Sequence, residues 1–160
     1  MVDLDTSYVV FRLGAEEYGL PVANVNAIIR YEEATPVPRS PAAVLGVINL
    51  RGRVVPVVDL SLRFTGRPFE PGPLSRIVIA DGASGAVGVA VDSANEVTQF
   101  PAATLREVPE GVLTSETARA FKGVVEREGS LVILLDLDEA VPRSEYSGAS
   151  ADVSEGNLHV

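Results

Sequence analysis

The feature that most constrains this chain is that its pattern occurs twice. Residues 46–60 read GVINLRGRVVPVVDL and residues 123–137 read GVVEREGSLVILLDL, aligning Gly46 with Gly123, Gly52 with Gly129, Asp59 with Asp136 and Leu60 with Leu137. Upstream, residues 8–28 lie over residues 77–97, pairing Gly19 with Gly88, Val22 with Val91, Asn26 with Asn95 and Ile28 with Val97. Self-similarity at a fixed spacing implies copies of one supersecondary unit, here two copies of about 65 residues. The fold must therefore house the same unit twice.

That unit reads as β. In residues 46–60 two apolar runs flank Arg51-Gly52, the signature of a tight hairpin. Asn49, Arg51 and Arg53 gather at the turn as its polar side chains. Pro56 has no N–H for a ladder, which places it at an edge or a bulge. Residues 8–13, 18–20 and 27–31 read as three preceding strands, with a helical or 3-10 turn over 21–24 and a proline-rich extended stretch over 32–41. A short helix at 61–64 and a Gly/Pro linker at 65–73 end the first copy. The second copy repeats the plan with strands at 75–81, 86–91 and 95–100, a surface excursion at 101–120, a hairpin at 122–126 and 131–135, and a closing helix over 136–141. Asp59 and Asp136 stand where a strand meets a short helix, the place of an N-cap. Residues 142–160 are poor in apolar side chains and aperiodic, which predicts a disordered tail. Short strands at regular spacing argue for small barrels, with lobes at about 8–66 and 75–141 sharing a core.

Composition closes off several function classes. With 22 acidic against 13 basic residues the net charge is -9, which disfavours nucleic acid and anionic membranes as partners. There is no Cys, and His159 is the only histidine, so thiolate metal sites, multi-His metal sites and histidine-based catalysis are not expected. No apolar run approaches the length of a membrane span and residues 1–7 lack a signal pattern, so a soluble cytoplasmic protein is expected. Gly82, Gly85 and Gly88 follow a strand, but their spacing is wrong for a dinucleotide fingerprint and a strand pattern follows. Between the copies, the glycines and apolar positions agree while the polar residues near the turn differ: Glu126, Arg127 and Glu128 stand against Asn49, Leu50 and Arg51. Residues that serve distinct partners are free to differ, and this points to a binding module with unlike faces.

The run GVINLRG…VPVVDL at 46–60, the TPVP of residues 35–38 and the hairpin FKGVVEREGSLVILLDL at 121–137 resemble the CheW-like domain of bacterial and archaeal chemotaxis coupling proteins. The resemblance spans about residues 8–141. It implies a mainly β fold of two SH3-like five-stranded barrels with short helices, no catalysis and no cofactor. It also implies an adaptor that links the cytoplasmic tips of chemoreceptors to the regulatory domain of the histidine kinase CheA. Val25 and Arg51 match family positions tied to receptor and signalling contacts, and Gly46 and Gly52 match the hairpin glycines. Receptor contact is accordingly expected at Val25, Ile28, Asn49, Arg51 and Gly52, and kinase contact at a strand end near Arg76 and Ile77. Many family members carry a glutamate where this chain has Ala27, so receptor choice is expected to differ. The alternatives are a CheW-like scaffold in a non-flagellar pathway and an enzyme of unrecognised type, which would need titratable residues converging in a pocket.

Overall fold

The computed structural model describes residues 6–83, 85–107 and 115–141. It is mainly β. The strands are β1 (Tyr8–Leu13), β2 (Glu16–Pro21), β3 (Val25–Arg30), β4 (Val44–Leu50), β5 (Arg53–Val58), β6 (Arg76–Gly82), β7 (Gly85–Val91), β8 (Ser93–Thr98), β9 (Leu105–Arg106), β10 (Phe121–Arg127) and β11 (Ser130–Leu135). Three short helices accompany them, α1 (Leu60–Thr65), α2 (Ser115–Ala120) and α3 (Leu137–Ala140). The expected tail at 142–160 and the first five residues lie outside the described residues.

The two sheets have strand orders β3-β6-β7-β5-β4 and β8-β1-β2-β11-β10-β9. Replacing each strand of the first order by its repeat partner turns it into the second, with β9 added. The duplication seen in the sequence is thus a duplication of topology. It does not follow the lobes expected at 8–66 and 75–141, however, because the copies exchange hairpins. β1-β2 completes the sheet of β8, β10 and β11, and β6-β7 completes the sheet of β3, β4 and β5. The exchange rests on two parallel junctions, β11 beside β2 and β5 beside β7. Each junction is built over a glycine. A Cβ on Gly19 would come within 3.1 Å of Leu134 Cδ2, and one on Gly88 within 2.8 Å of Ile77 Cγ2 and 3.4 Å of Val57 Cγ2. A hairpin's turn fixes the register inside the hairpin, whereas which hairpin lies beside it is decided by such packing.

Three apolar clusters follow from this. The largest draws Phe11, Leu13, Tyr18 and Leu20 from one sheet and Val58, Val78, Val89 and Val91 from the other, so the two sheets share it. The opposite face of each sheet encloses a smaller cluster, around Ile48, Val55 and Ile77 in one and around Tyr8, Val10 and Leu134 in the other. Asp59 caps α1 by accepting from Leu62 N at 2.9 Å, and Asp136 caps α3 by accepting from Glu139 N at 3.3 Å, as expected. Pro56 lies in β5, one residue before the β7 ladder begins at Val57, so it stands at a local edge on that side. Gly46 has φ of 147°, and a Cβ there would collide with the Thr35 carbonyl, whose strand bridge to Val47 covers the edge of β4.

Candidate protein-interaction surface

The turn that joins β4 to β5 is fixed by its own residues. Arg51 and Gly52 both have positive φ, 53° and 83°, and Asn49 Oδ1 accepts a hydrogen bond from Gly52 N at 2.9 Å. Two successive left-handed residues make the primed turn that suits strand twist. Glu128 and Gly129 repeat it at 51° and 81°, so Gly52 and Gly129 occupy equivalent turns. Asn49, Arg51 and Gly52 come together here as expected. Arg51 is exposed and has no hydrogen bond or ion pair among the described residues.

Val25 and Ile28 are three residues apart, a spacing that would put them on opposite faces of a regular strand. A bulge changes this. Val25 pairs with Ala80, Ala27 with Ile79 and Ile28 with Val78, leaving Asn26 as the extra residue. Its side chain turns to Asp81, donating from Nδ2 to Oδ2 at 2.9 Å. Val25 and Ile28 therefore share the face of Ala80 and Val78, which is the face of the shared core. Val25 packs against that core part-buried, and Ile28 stands at its margin 37% exposed. The repeat partner Asn95 is likewise skipped where β8 pairs with β1. β5 runs parallel to β7 with Val57 beside Gly88, which puts the Arg51 turn at the end of the sheet where β3 begins.

The expectation for Arg76 and Ile77 needs correction in part. Ile77 is fully buried against Gly88 and cannot meet a partner. The first residues of a strand look like surface in sequence, but the β3 and β7 ladders on either side already enclose this one. Arg76 is half-buried and donates to its neighbour's carbonyl, Ser75 O, at 2.9 Å.

Sequence reasoning missed one cluster entirely. Arg127 on β10 contacts Glu17 on β2 at 3.3 Å and Glu96 on β8 at 2.8 Å, the latter off the line of an N–H hydrogen bond, and its guanidinium lies 5.8 Å from the centroid of Phe100. β8 and β10 are four strands apart in the order, about 19 Å if the sheet were flat. A side chain spanning them means that the sheet is strongly curled. The repeat partners of Arg127, Glu17, Glu96 and Phe100 are Leu50, Ala86, Ala27 and Tyr31, all packed part-buried against the other sheet's cluster. Ala27 is thus one member of an apolar replacement for an ionic clasp.

A cleft of about 600 Å³ lies beside α1, with Glu16, Arg67, Glu70 and Asp92 in its wall; Asp92 accepts from Gly14 N at 2.6 Å, and Ser61 and Thr65 direct their hydroxyls to Arg67 O and Ser61 O. Tyr18, part of an aromatic group with Phe11, Phe64 and Phe121, has its hydroxyl pKa pushed up to about 12 by burial first and by Glu16 second. Tyr31 is raised in the same way, by burial and then Glu33. Among the described residues no group of three or more His, Cys, Asp or Glu could hold a metal ion, and no helix is long and apolar enough to cross a membrane.

Comparison with known proteins fits this geometry. The CheW-like domain family matches residues 7–145. The chain is 35% identical over 142 residues to chemotaxis protein CheW of Rhizobium meliloti, covering 88% of this chain and 90% of that protein. It is 31% identical to chemotaxis protein CheW of Bacillus subtilis, covering 90% and 92%. Among solved structures, the scaffolding protein TtCheW from Thermoanaerobacter tengcongensis matches with a TM-score of 0.73 and 32% identity, over 82% of this chain and 84% of that one. A twice-used β unit, a hairpin-exchanged pair of sheets and an exposed cation on a primed turn are thus features of a chain that belongs to the CheW-like family of chemotaxis scaffold proteins.

Proposed function

We propose that this protein is a non-catalytic, cytoplasmic adaptor that couples the cytoplasmic tips of chemoreceptors to the regulatory domain of the histidine kinase CheA. The observation that carries the reading is the Asn26 bulge, which sets Val25 and Ile28 on one face at the margin of the shared core. An apolar strip of this kind suits a helix laid against it, with affinity gained from burial. Arg51, exposed on its turn without an intrachain partner among the described residues, supplies a cation at the same end of the sheet.

The test is reconstitution of the protein with receptor cytoplasmic fragment and CheA, reading kinase autophosphorylation. Arg51→Ala removes an exposed group and should change stability by no more than about 0.5 kcal/mol, yet fail to support kinase activation. Ile28→Asp should lose receptor binding while melting within a few degrees of the parent. Normal activation by the first variant and normal binding by the second would overturn the reading.

A further inference from the structure

We infer that the apolar strip of β3 ends in a two-arginine site that receives a carboxylate of the docked partner, so that the partner segment is a helix bearing an acidic residue about one turn beyond its apolar anchor. The inference rests on the receptor-docking reading above and adds the chemistry of what docks. Arg30 on β3 and Arg76 on β6 are direct cross-strand partners in the register, and so lie on one face. It is the face of Ile28 and Val78, because residues two apart in a strand point the same way. Side chains paired across strands sit with Cβ atoms about 5 Å apart, and like charges placed so are destabilising.

The chain has acidic residues in excess, 22 against 13, yet none of those described forms an ion pair with either arginine. Arg76 donates only to Ser75 O, and Arg30 is exposed with no hydrogen bond or ion pair among the described residues. Among the described residues, then, two cations without an ion-pair partner stand together beside an exposed isoleucine. In the other half the repeat partner of Arg30 is Gln99, and that of Ile28 is Val97, so the apolar position is kept while the cation is not. Symmetry of the fold therefore does not account for the pair.

An anion carried by the partner would neutralise it, and the spacing says where on the partner. From Ile28 to Arg30 is two strand residues, about 7 Å. A helix rises 1.5 Å per residue, so about four to five of its residues span that distance, and of these spacings positions four apart share one helical face. An apolar residue over Ile28 with Asp or Glu four positions along meets both requirements.

The experiment measures binding of receptor cytoplasmic fragment to the full chain, to Arg30→Gln/Arg76→Gln and to Ile28→Asp, from low salt to about 0.5 M, beyond which screening is nearly complete. The double arginine variant should bind about tenfold more weakly at low salt, the difference should close as salt rises, and its melting temperature should not fall. Parent-like affinity and salt dependence in that variant, with Ile28→Asp abolishing binding, would overturn the two-arginine site and leave the docking reading intact. If Ile28→Asp binds normally while the arginine variant is weakened, the apolar strip is refuted and the cation site stands. A weaker variant that also melts lower, with an affinity loss independent of salt, would assign the arginines a structural role and end the proposal.

Discussion

The two halves solve one packing problem in two ways, and each solution can be transplanted. Replacing Arg127 by Leu, the residue its partner position Leu50 carries, breaks contacts to Glu17 and Glu96 and the stacking on Phe100. The side chains are 25%, 21% and 44% exposed, so the ion pairs are discounted for solvent to about 0.5 kcal/mol each. The cation–aromatic contact adds about 0.5 kcal/mol. Arg127→Leu alone should therefore destabilise by about 1.5 kcal/mol, lowering the melting temperature by about 3–6 °C. The triple variant Arg127→Leu/Glu17→Ala/Glu96→Ala copies Leu50, Ala86 and Ala27, and should fall within about 0.5 kcal/mol of the parent, because no carboxylate is left without its cation and the apolar packing already works in the sister sheet. Urea unfolding midpoints of the parent, the three single variants and the triple give the coupling directly. If the triple loses as much as the sum of the singles, the equivalence of the two sites is refuted.

Gly46→Ala should cost at least about 3 kcal/mol, since the added Cβ meets the Thr35 backbone at a positive φ, and thermal melts of the purified variant measure it. For Tyr18, the folded-state hydroxyl pKa lies at about 12 against an ordinary 10.0, so between those values the unfolded state has released the proton and the native state has not. Stability should accordingly fall as pH rises from 10 to 12, by up to about 2 kcal/mol, and Tyr18→Phe should flatten that slope in urea titrations across the window. Fragments 1–72 and 73–160 should each fail to fold, since each lacks the hairpin that completes its sheet, and mixing them should restore parent-like dispersion of amide NMR signals; a cooperative unfolding transition in fragment 1–72 alone would contradict the exchange.

What could be read in the sequence was set locally. Gly52 and Gly129, Asp59 and Asp136 mark turns and caps because the backbone at those points accepts few residues, and the structure puts all four where their chemistry requires. The exchange of hairpins was out of reach for a matching reason. β1-β2 and β6-β7 carry the same period and the same glycine, so the pattern fits either neighbour equally well; that Leu134 meets Gly19 and Val57 meets Gly88 is set by the assembled sheets. Asn26 and Asn95 were visible as a matched pair without disclosing that each is a bulge residue, since Asn is at home in many irregular conformations. Glu17, Glu96 and Arg127 come from three distant strands, and isolated charges in a sequence look like solvated turns. Ile77 was misplaced because burial at a strand end depends on the neighbours in the sheet.

The position of the candidate surface follows from the exchange. Had each copy folded as its own lobe, the contact between lobes would resemble an interface between domains, and relative motion would be the default. With hairpins traded, the shared core is stitched from both directions, Phe11 and Leu20 from one sheet and Val58 and Val89 from the other. Ile28 stands at the margin of that core on a strand whose start is held by Asn26 and Asp81. A docking strip supported in this way loses little freedom when a partner binds, and the affinity available from a few apolar side chains is not spent on ordering the surface that presents them.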